Sequence, residues 1–294
     1  MKQQTRYEYG GDEYIFVELS EEMSLEAHYR GLAITKELKD KKLEGIVDIC
    51  PGNASYMVRF VPEQIHPTEL MEELKALEKN VQEVPDISIE SRLVDVPILF
   101  EDPWTHEAVM RFRNNHQDPN LTDIEYAAKI NGYSSKEDFI QALVKSPFMV
   151  SMLGFVPGLP FCFQMVEREK QIEVPKYVTP RTFTPERTFG FGGAFACIYP
   201  VQGAGGYQMF GMAAAPILDT KQKLYDFKES MVFPKQGDIF RFRDITLDEF
   251  EDIRSQVEKG TFTYQTKPFS YSPVDVMEEP EGFSKKVLRG LYND

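Results

Sequence analysis

The chain has 294 residues, a length for which two domains are the ordinary expectation. Hydrophobic residues make up 42% and charged residues 27%, which is typical of a globular protein and argues against disorder. The formal net charge of −14 disfavours nucleic acids and anionic membrane surfaces as partners, because both attract proteins with basic faces.

The first ninety residues predict a small α+β unit. Alternating apolar residues indicate strands at 14–19, 45–50 and 55–61. Ser24 is placed to cap a helix that runs to about residue 39, and a second helix is expected to open at Thr68. A further strand near Ile87 would complete the order β-α-β-β-α, with both helices on one face of the sheet.

A boundary is expected at 84–91, followed by a strand at 92–100 in which Pro97 indicates an edge or a bulge. Capping-box spacings at Thr122/Glu125 and Ser134/Glu137 predict two short helices. From residue 149 onward, short apolar runs broken by Gly and Pro indicate a β-barrel or a sandwich. A helix at 247–258 and a polar tail end the chain. We therefore predict domains at 1–90 and 91–294.

Cysteines and histidines give no sign of a metal site. Cys50, Cys162 and Cys197 form no Cys-x-x-Cys pair, and the four histidines lack metal-ligand spacing. Cys197 lies in an alternating strand and is expected to be buried. Neither an apolar leader nor a membrane span is recognisable, so we expect a cytoplasmic protein with reduced thiols.

The most distinctive segment is 175–211, which contains four prolines and seven glycines. Glycines permit turns and close backbone approach, and prolines restrict loops. Cations on a rigid loop suit recognition of a carboxylate, carbonyl or carbonate-like group. The alternative reading is structural: tight turns of a barrel, with Glu186 neutralising Arg181 or Arg187. The glycines match no phosphate-binding loop.

Several stretches resemble one family, known as allophanate hydrolase subunit 1, KipI or the B subunit of 5-oxoprolinase. GDEYIFVEL, GIVDICPGNASYMVRF and RLVDVPILF are similar to its opening landmarks. MLGFVPGLPF is similar to its GFxPGFPY signature, and the region 179–211 to its TPR…GIGG…YP…PGGW/Y core. Within the family, EDPWTHEAVMRF and the 176–186 string resemble the first half of the carboxyltransferase domain of urea carboxylase.

This resemblance implies a small α+β N-terminal domain followed by a cyclophilin-like β-barrel, in agreement with the α+β class that the patterns predict. It also implies a homologous second subunit, and a carboxybiotin donor carried by a partner protein and charged by an ATP-using partner. The partners would be a biotin carboxylase and a biotin carrier. The chain carries no biotinylation motif of its own, so we expect it to be inactive alone. No metal is implied.

The resemblance places all the expected site residues except Pro157 in the 175–211 segment. Arg181, Lys176 and Glu186 are the expected catalytic residues. Substrate contacts are expected from Pro157, Tyr177, Thr182, Thr184, Gly192, Gly193, Tyr199, Gly205, Gly206, Tyr207 and Gln208.

Three functions remain open from the sequence. The first is carboxyl transfer to urea or another amide-type acceptor, the second is ATP-dependent 5-oxoproline opening with a LamB/YcsF-type partner, and the third is inhibition of a histidine kinase. The acceptor is also open, because Gly211-Met212-Ala213 departs from the usual Gly-Arg-Thr of the family.

Overall fold

The computed structural model describes residues 4–81 and 85–292. They separate into two compact units. The first comprises the described residues up to Ile89 together with Tyr271–Glu279, and the second comprises Glu90–Ser270 and the described residues from Pro280 onward. The domains 1–90 and 91–294 stay a prediction, and the structure adds that a C-terminal segment groups with the N-terminal unit.

The first unit contains an antiparallel sheet of four strands with two helices packed on one face. Its strand order is β1-β2-β4-β3. Ile34 and Leu38 of the first helix share a core with Leu74 of the second and with Val17 and Val58 of the sheet. The elements are β1 (Arg6–Tyr9), β2 (Tyr14–Glu18), α1 (Leu25–Lys41), β3 (Ile46–Pro51), β4 (Ser55–Phe60) and α2 (Pro67–Asn80).

Local signals set most of these boundaries. The Ser24 side chain accepts a hydrogen bond from the Ala27 N–H and caps α1, as predicted. Helix α2 begins at Pro67 with His66 as its cap, not at Thr68. The strand expected near Ile87 is wrong, because Ile87 has no strand assignment. The sheet instead gains β1, whose polar sequence Arg-Tyr-Glu-Tyr carries no apolar alternation.

The second unit contains a closed barrel of seven strands in the order β12-β9-β10-β7-β6-β13-β5, which closes by pairing of β12 with β5. A further strand, β14, also pairs with β5, and β8 and β11 form a separate two-stranded ribbon. The strands are β5 (Ile89–Phe100), β6 (Phe148–Leu153), β7 (Pro160–Gln164), β8 (Arg181–Thr184), β9 (Thr188–Gly192), β10 (Phe195–Ile198), β11 (Gly203–Gly205), β12 (Gln208–Ala213), β13 (Ile239–Asp244) and β14 (Thr266–Tyr271).

Aromatic rings fill the barrel. The Phe189 and Phe242 ring centroids lie 4.5 Å apart, and Phe148 and Phe242 lie 5.0 Å apart. Such edge and tilted contacts add to the burial of large apolar surfaces. The expected α+β class with a β-barrel is therefore confirmed. Pro97 does not mark an edge, since β5 has neighbours on both sides.

Six further helices occur within residues 85–292. The Thr122/Glu125 capping box is present at α4, whereas α5 is capped by Ser135 and not by Ser134. Helix α3 lies between the strand predicted at 92–100 and the first capping box, where no helix is predicted, and two helices replace the predicted polar tail. The six are α3 (Pro103–Arg111), α4 (Asp123–Ile130), α5 (Lys136–Val144), α6 (Leu247–Lys259), α7 (Pro273–Glu278) and α8 (Pro280–Tyr292).

Close strand approach dictates glycine at position 211. A Cβ added there would lie 2.4 Å from the Leu99 carbonyl oxygen, which is backbone and cannot move aside. We expect Gly211→Ala to lower the free energy of unfolding by at least about 2 kcal/mol. Gly203→Ala is the matched control, because nothing lies within 4 Å of its added Cβ. Urea unfolding measures both, and equal stabilities would contradict the packing at β5–β12.

His28 predicts a pH dependence of stability. Its ring is buried and donates from Nδ1 to the Asn53 carbonyl oxygen at 2.8 Å. Burial lowers the pKa of His28 from 6.5 to about 4. Between these values the unfolded chain binds more protons, so stability falls as pH decreases from 6.5 towards 4, by about 3 kcal/mol over the full range.

The test is urea unfolding of wild type and His28→Gln at about pH 7.5 and at about pH 5, on either side of the ordinary histidine pKa. The variant is expected to lose less stability on acidification than wild type, because the unfavourable protonation is removed. His106→Gln, at an exposed position, should keep the wild-type dependence. An identical pH dependence in His28→Gln and wild type would show that the ring is not buried in its neutral form.

Candidate functional site

A buried cationic side chain organises the predicted site segment. Arg181 is 1% exposed, and its guanidinium carbon lies 4.5 Å from the centre of the Tyr177 ring. Its Nη2 donates to Thr184 Oγ1 at 3.3 Å, whereas Nε and Nη1 are buried and have no acceptor among the described residues. Stacking on an aromatic face stabilises a desolvated guanidinium. Arg181 is therefore built into the protein and does not face solvent.

Asp123, at the first turn of α4, connects this arginine to the barrel. The Tyr177 hydroxyl donates one hydrogen bond shared between both carboxylate oxygens, at 2.6 and 2.8 Å, and the Met209 N–H donates a second at 2.7 Å. Arg113 Nη1 and His116 Nε2 lie 3.8 and 3.7 Å from the same carboxylate. Burial raises the pKa of Asp123, and the hydrogen bonds together with Arg181 and His116 oppose that rise.

Tyr199, Thr184 and Gly205 complete the cluster on its other side. A Cβ on Gly205 would lie 2.4 Å from the Tyr199 hydroxyl and 2.8 Å from Thr184 Oγ1, so glycine at this position leaves room for both hydroxyls. Burial raises the pKa of Tyr199, and interaction with Arg181 opposes the rise. We call Asp123, Tyr177, Arg181, Thr184 and Tyr199 the arginine cluster.

Two glutamines fix the backbone that leads to the cluster. Gln208 Nε2 donates to the Pro175 carbonyl oxygen at 2.9 Å and to Gln117 Oε1 at 3.2 Å. Gln117 Nε2 in turn donates to the Lys176 carbonyl oxygen. Gln208 is fully buried, so it supports the loop and is not positioned to touch an acceptor. Gln117 is a supporting residue that sequence reasoning missed.

Lys176, whose carbonyl oxygen accepts from Gln117, has its side chain on an accessible surface. Lys176 is exposed, and its Nζ lies 5.4 Å from the centre of the Tyr207 ring. A Cβ on Gly206 would lie 3.8 Å from Lys176 Cβ, which places the two side by side. The Tyr207 ring occupies the space over Gly192, where a Cβ would lie only 2.3 Å from Tyr207 Cδ1. Lys176, Gly206 and Tyr207 form what we call the Lys176 face.

The remaining predicted residues lie outside the arginine cluster and the Lys176 face, or have a structural role. Gly193 has a φ of +60° in the turn between β9 and β10, and its N–H donates to Val174, so it is engaged in backbone pairing. Thr182 and Pro157 are exposed and belong to neither the arginine cluster nor the Lys176 face. Glu186 Oε1 lies 3.9 Å from Arg187 Nε, so its carboxylate neighbours Arg187 and not Arg181.

The cysteines and possible metal ligands complete the inventory of reactive groups. Cys162 and Cys197 are buried and Cys50 is exposed, and all three are free. The expected burial of Cys197 is confirmed, and burial raises the pKa of its thiol.

Among residues 4–81 and 85–292, no group of three or more His, Cys, Asp or Glu is placed to hold a metal ion. In the same part of the chain, no helix is both long enough and apolar enough to cross a membrane.

Residues 5–226 match the family named carboxyltransferase domain, subdomain C and D. The match covers well over half of the chain, and the chain belongs to that family. The resemblance to the first half of the urea carboxylase carboxyltransferase region is thereby confirmed.

Two relatives of known activity match most of this chain. Urea amidolyase of Saccharomyces cerevisiae is 31% identical over 263 residues, which are 87% of this chain and 14% of that protein. The B subunit of 5-oxoprolinase from Bacillus subtilis is 21% identical over 254 residues, 84% of this chain and 95% of that protein. This chain thus spans about one seventh of the urea amidolyase, but nearly the whole length of the oxoprolinase subunit.

Solved structures show the same fold. The urea carboxylase of Kluyveromyces lactis superimposes with a TM-score of 0.82 at 24% identity, covering 99% of this chain and 26% of that one. The urea amidolyase of the same organism gives the same TM-score and covers 18% of the solved chain. At this identity the likeness establishes the architecture only.

Tyr177→Phe tests the arginine cluster without changing its shape. Loss of the hydroxyl removes the hydrogen bond that it shares between the two oxygens of the buried Asp123 carboxylate, so we expect the free energy of unfolding to fall by about 1–3 kcal/mol. Tyr225→Phe is the control, because that ring is exposed. Urea unfolding at neutral pH is the measurement, and equal effects of the two substitutions would argue against a buried, hydrogen-bonded carboxylate.

Proposed function

We propose that this chain is the first of two carboxyltransferase subunits in a biotin-dependent enzyme of urea carboxylase type. In this proposal it helps move a carboxyl group from carboxybiotin to a urea-like or amide acceptor. The observation that carries the proposal is 31% identity with a urea amidolyase across 87% of this chain. The name of the matching family, a carboxyltransferase domain, points to the same step.

The proposal requires partners. This chain corresponds to 14% of the urea amidolyase, and the matching family is named for subdomains C and D alone. We therefore propose a homologous second subunit that completes the carboxyltransferase, a biotin carrier and an ATP-using biotin carboxylase. Carboxybiotin on the carrier would supply the carboxyl group, and this chain would be inactive by itself. Three free thiols fit a reducing compartment, and we place the protein in the cytoplasm.

The geometry suggests distinct roles for the two cations. Lys176 is exposed above the Tyr207 ring and beside the small Gly206, so its ammonium is free to meet carboxyl or carbonyl oxygens. Arg181 is buried against Tyr177, so we assign it to positioning: it supports the loop from which Lys176 projects. Roles for Glu186, Thr182 and Pro157 stay predictions, since these residues lie outside both groups.

A second function is favoured by the extent of another match. The B subunit of 5-oxoprolinase from Bacillus subtilis matches over 95% of its own length. In that case the partners would include a LamB/YcsF-type protein, and biotin would play no part. Inhibition of a histidine kinase stays a prediction, with no contact among the described residues that favours it.

Lys176→Gln is the variant that tests the proposal. The chain is combined with its homologous second subunit, biotin carboxylase and biotin carrier, and acceptor-dependent ATP cleavage is measured with urea and with 5-oxoproline. We expect at least about a tenfold fall in turnover with the urea-type acceptor, because a charge-assisted contact of about 1.5–3 kcal/mol is lost. Lys145→Gln, also exposed, should keep wild-type turnover.

The outcomes separate the two functions. Turnover with urea or a related amide that depends on biotin supports carboxyl transfer. Turnover with 5-oxoproline in the absence of the biotin proteins supports the oxoprolinase assignment and overturns the carboxyltransferase proposal. Full activity of Lys176→Gln with the urea-type acceptor would remove Lys176 from the mechanism.

A further inference from the structure

A cavity of about 630 Å³ opens in the second unit, apart from the Lys176 face. Helix α3 contributes Trp104 and Arg111, helix α6 contributes Phe250 and Arg254, and the turn after β8 contributes Arg187. Volumes of this size are typical of sites for small organic ligands. Of the residues predicted above for catalysis or substrate contact, Glu186 alone lines this cavity.

The aromatic side chains give the cavity a flat apolar wall. Trp104 and Phe250 stack with ring centroids 5.2 Å apart and an interplanar angle of 28°. Trp104 nevertheless remains 44% exposed, so one large ring is left available at the opening. The guanidinium carbon of Arg111 lies 5.7 Å from the centre of the Phe183 ring, which also lines the cavity. A ligand with a flat or apolar body suits these surfaces.

The charges are arranged unevenly. Arg187 is 9% exposed and Arg254 is half-buried, whereas Arg111 and the lining glutamates Glu107, Glu186 and Glu251 are exposed. Glu186 pairs with Arg187 at 3.9 Å, and no ion pair of Arg111 or Arg254 occurs among the described residues. Exposed carboxylates are screened by water, while buried cations are not. The deeper part of the cavity is therefore cationic, in a chain whose net charge is −14.

Arg187 supplies an independent sign of a built site. Its Nη1 makes only long hydrogen bonds to the carbonyl oxygens of Ala213 and Ala214, at 3.5 and 3.3 Å. Its Nε is buried and has no hydrogen-bond acceptor in the described part of the chain, since the exposed Glu186 carboxylate stays 3.9 Å away. Its backbone holds a φ of +66°, in the left-handed region that few residues other than glycine adopt. The Arg187 N–H is fixed at 2.6 Å from the Tyr199 carbonyl oxygen. Strained backbone of this kind is concentrated at functional sites.

From these observations we infer that the cavity binds a small organic carboxylate with a flat or apolar body. The flat or apolar body of the ligand lies against Trp104, and its carboxylate is held by Arg111 and Arg254 near the buried Arg187. Arginine pairs with carboxylates through parallel hydrogen bonds, which makes it selective for this group. The inference does not depend on carboxyl transfer, because it concerns other residues and a binding event without turnover.

Trp104 is the single tryptophan of the chain, so its fluorescence reports on the cavity directly. The full chain, without partners, is titrated with benzoate and separately with benzamide, which has the same ring but no charge. We expect a saturable fluorescence change with benzoate, and at least about tenfold weaker binding of benzamide, because the amide cannot form a charge-assisted pair with arginine. Because the comparison uses wild-type protein, it does not depend on the folding of any variant.

Arg111→Gln and Arg254→Gln localise the binding. Each substitution is expected to weaken the binding of benzoate at least tenfold, equivalent to about 1.4 kcal/mol, and to leave the affinity for benzamide unchanged. Arg289→Gln, at a position outside the cavity, should bind benzoate as wild type does. The inference is overturned if benzoate gives no saturable response, if benzamide binds equally well, or if both cavity variants bind benzoate with wild-type affinity.

Discussion

The Asp123 carboxylate is the constraint on which the candidate site depends. A carboxylate removed from water must be compensated by hydrogen bonds and opposite charge, or its burial is too costly to sustain. Here the Tyr177 hydroxyl and the Met209 N–H donate to it, and Arg181 supplies positive charge nearby. Each of these donors comes from a different part of the chain, so the carboxylate fixes helix α4, the loop of Tyr177 and strand β12 together.

This arrangement explains why the cationic loop is divided into a buried part and an exposed part. Arg181 stacks inward on Tyr177, and the Tyr177 N–H donates to Gly206 at 2.7 Å, which closes the loop against the glycine segment. Lys176, one residue earlier, is left exposed with its ammonium over Tyr207. A rigid base and one exposed cation are the features that recognition of a carboxyl or carbonyl group requires.

Much of the fold follows from local sequence signals, and the exceptions have physical causes. Ser24 and Thr122 predict helix starts because a cap needs only neighbouring residues. Helix α3 is missed although Asp102 followed by Pro103 is a recognisable start. Its large apolar residues Trp104 and Met110 are exposed while Thr105 is buried, so the apolar residues do not mark the buried face of the helix. Strand β1 is missed because its four residues are mostly exposed and obtain their structure from pairing with β2.

Within the site segment, Arg181 and Lys176 are both cations on one loop, and only the packing of Tyr177 distinguishes the buried one. Asp123 gives no signal beyond its place at a helix start, because its partners lie 54 and 86 positions away. Glycines that suggest openings towards a ligand, Gly192 and Gly205, instead make room for tyrosine side chains.

The buried Asp123 carboxylate thus holds the loop that presents Lys176. Amide hydrogen exchange in wild type and Asp123→Ala measures this directly, with the Tyr177 N–H as the reporter and the Val150 N–H, which donates to the Asp238 carbonyl oxygen at 2.8 Å, as the reference. We expect at least about tenfold faster exchange at Tyr177 in the variant and little change at Val150. Unchanged protection at Tyr177 in a folded Asp123→Ala protein would contradict it.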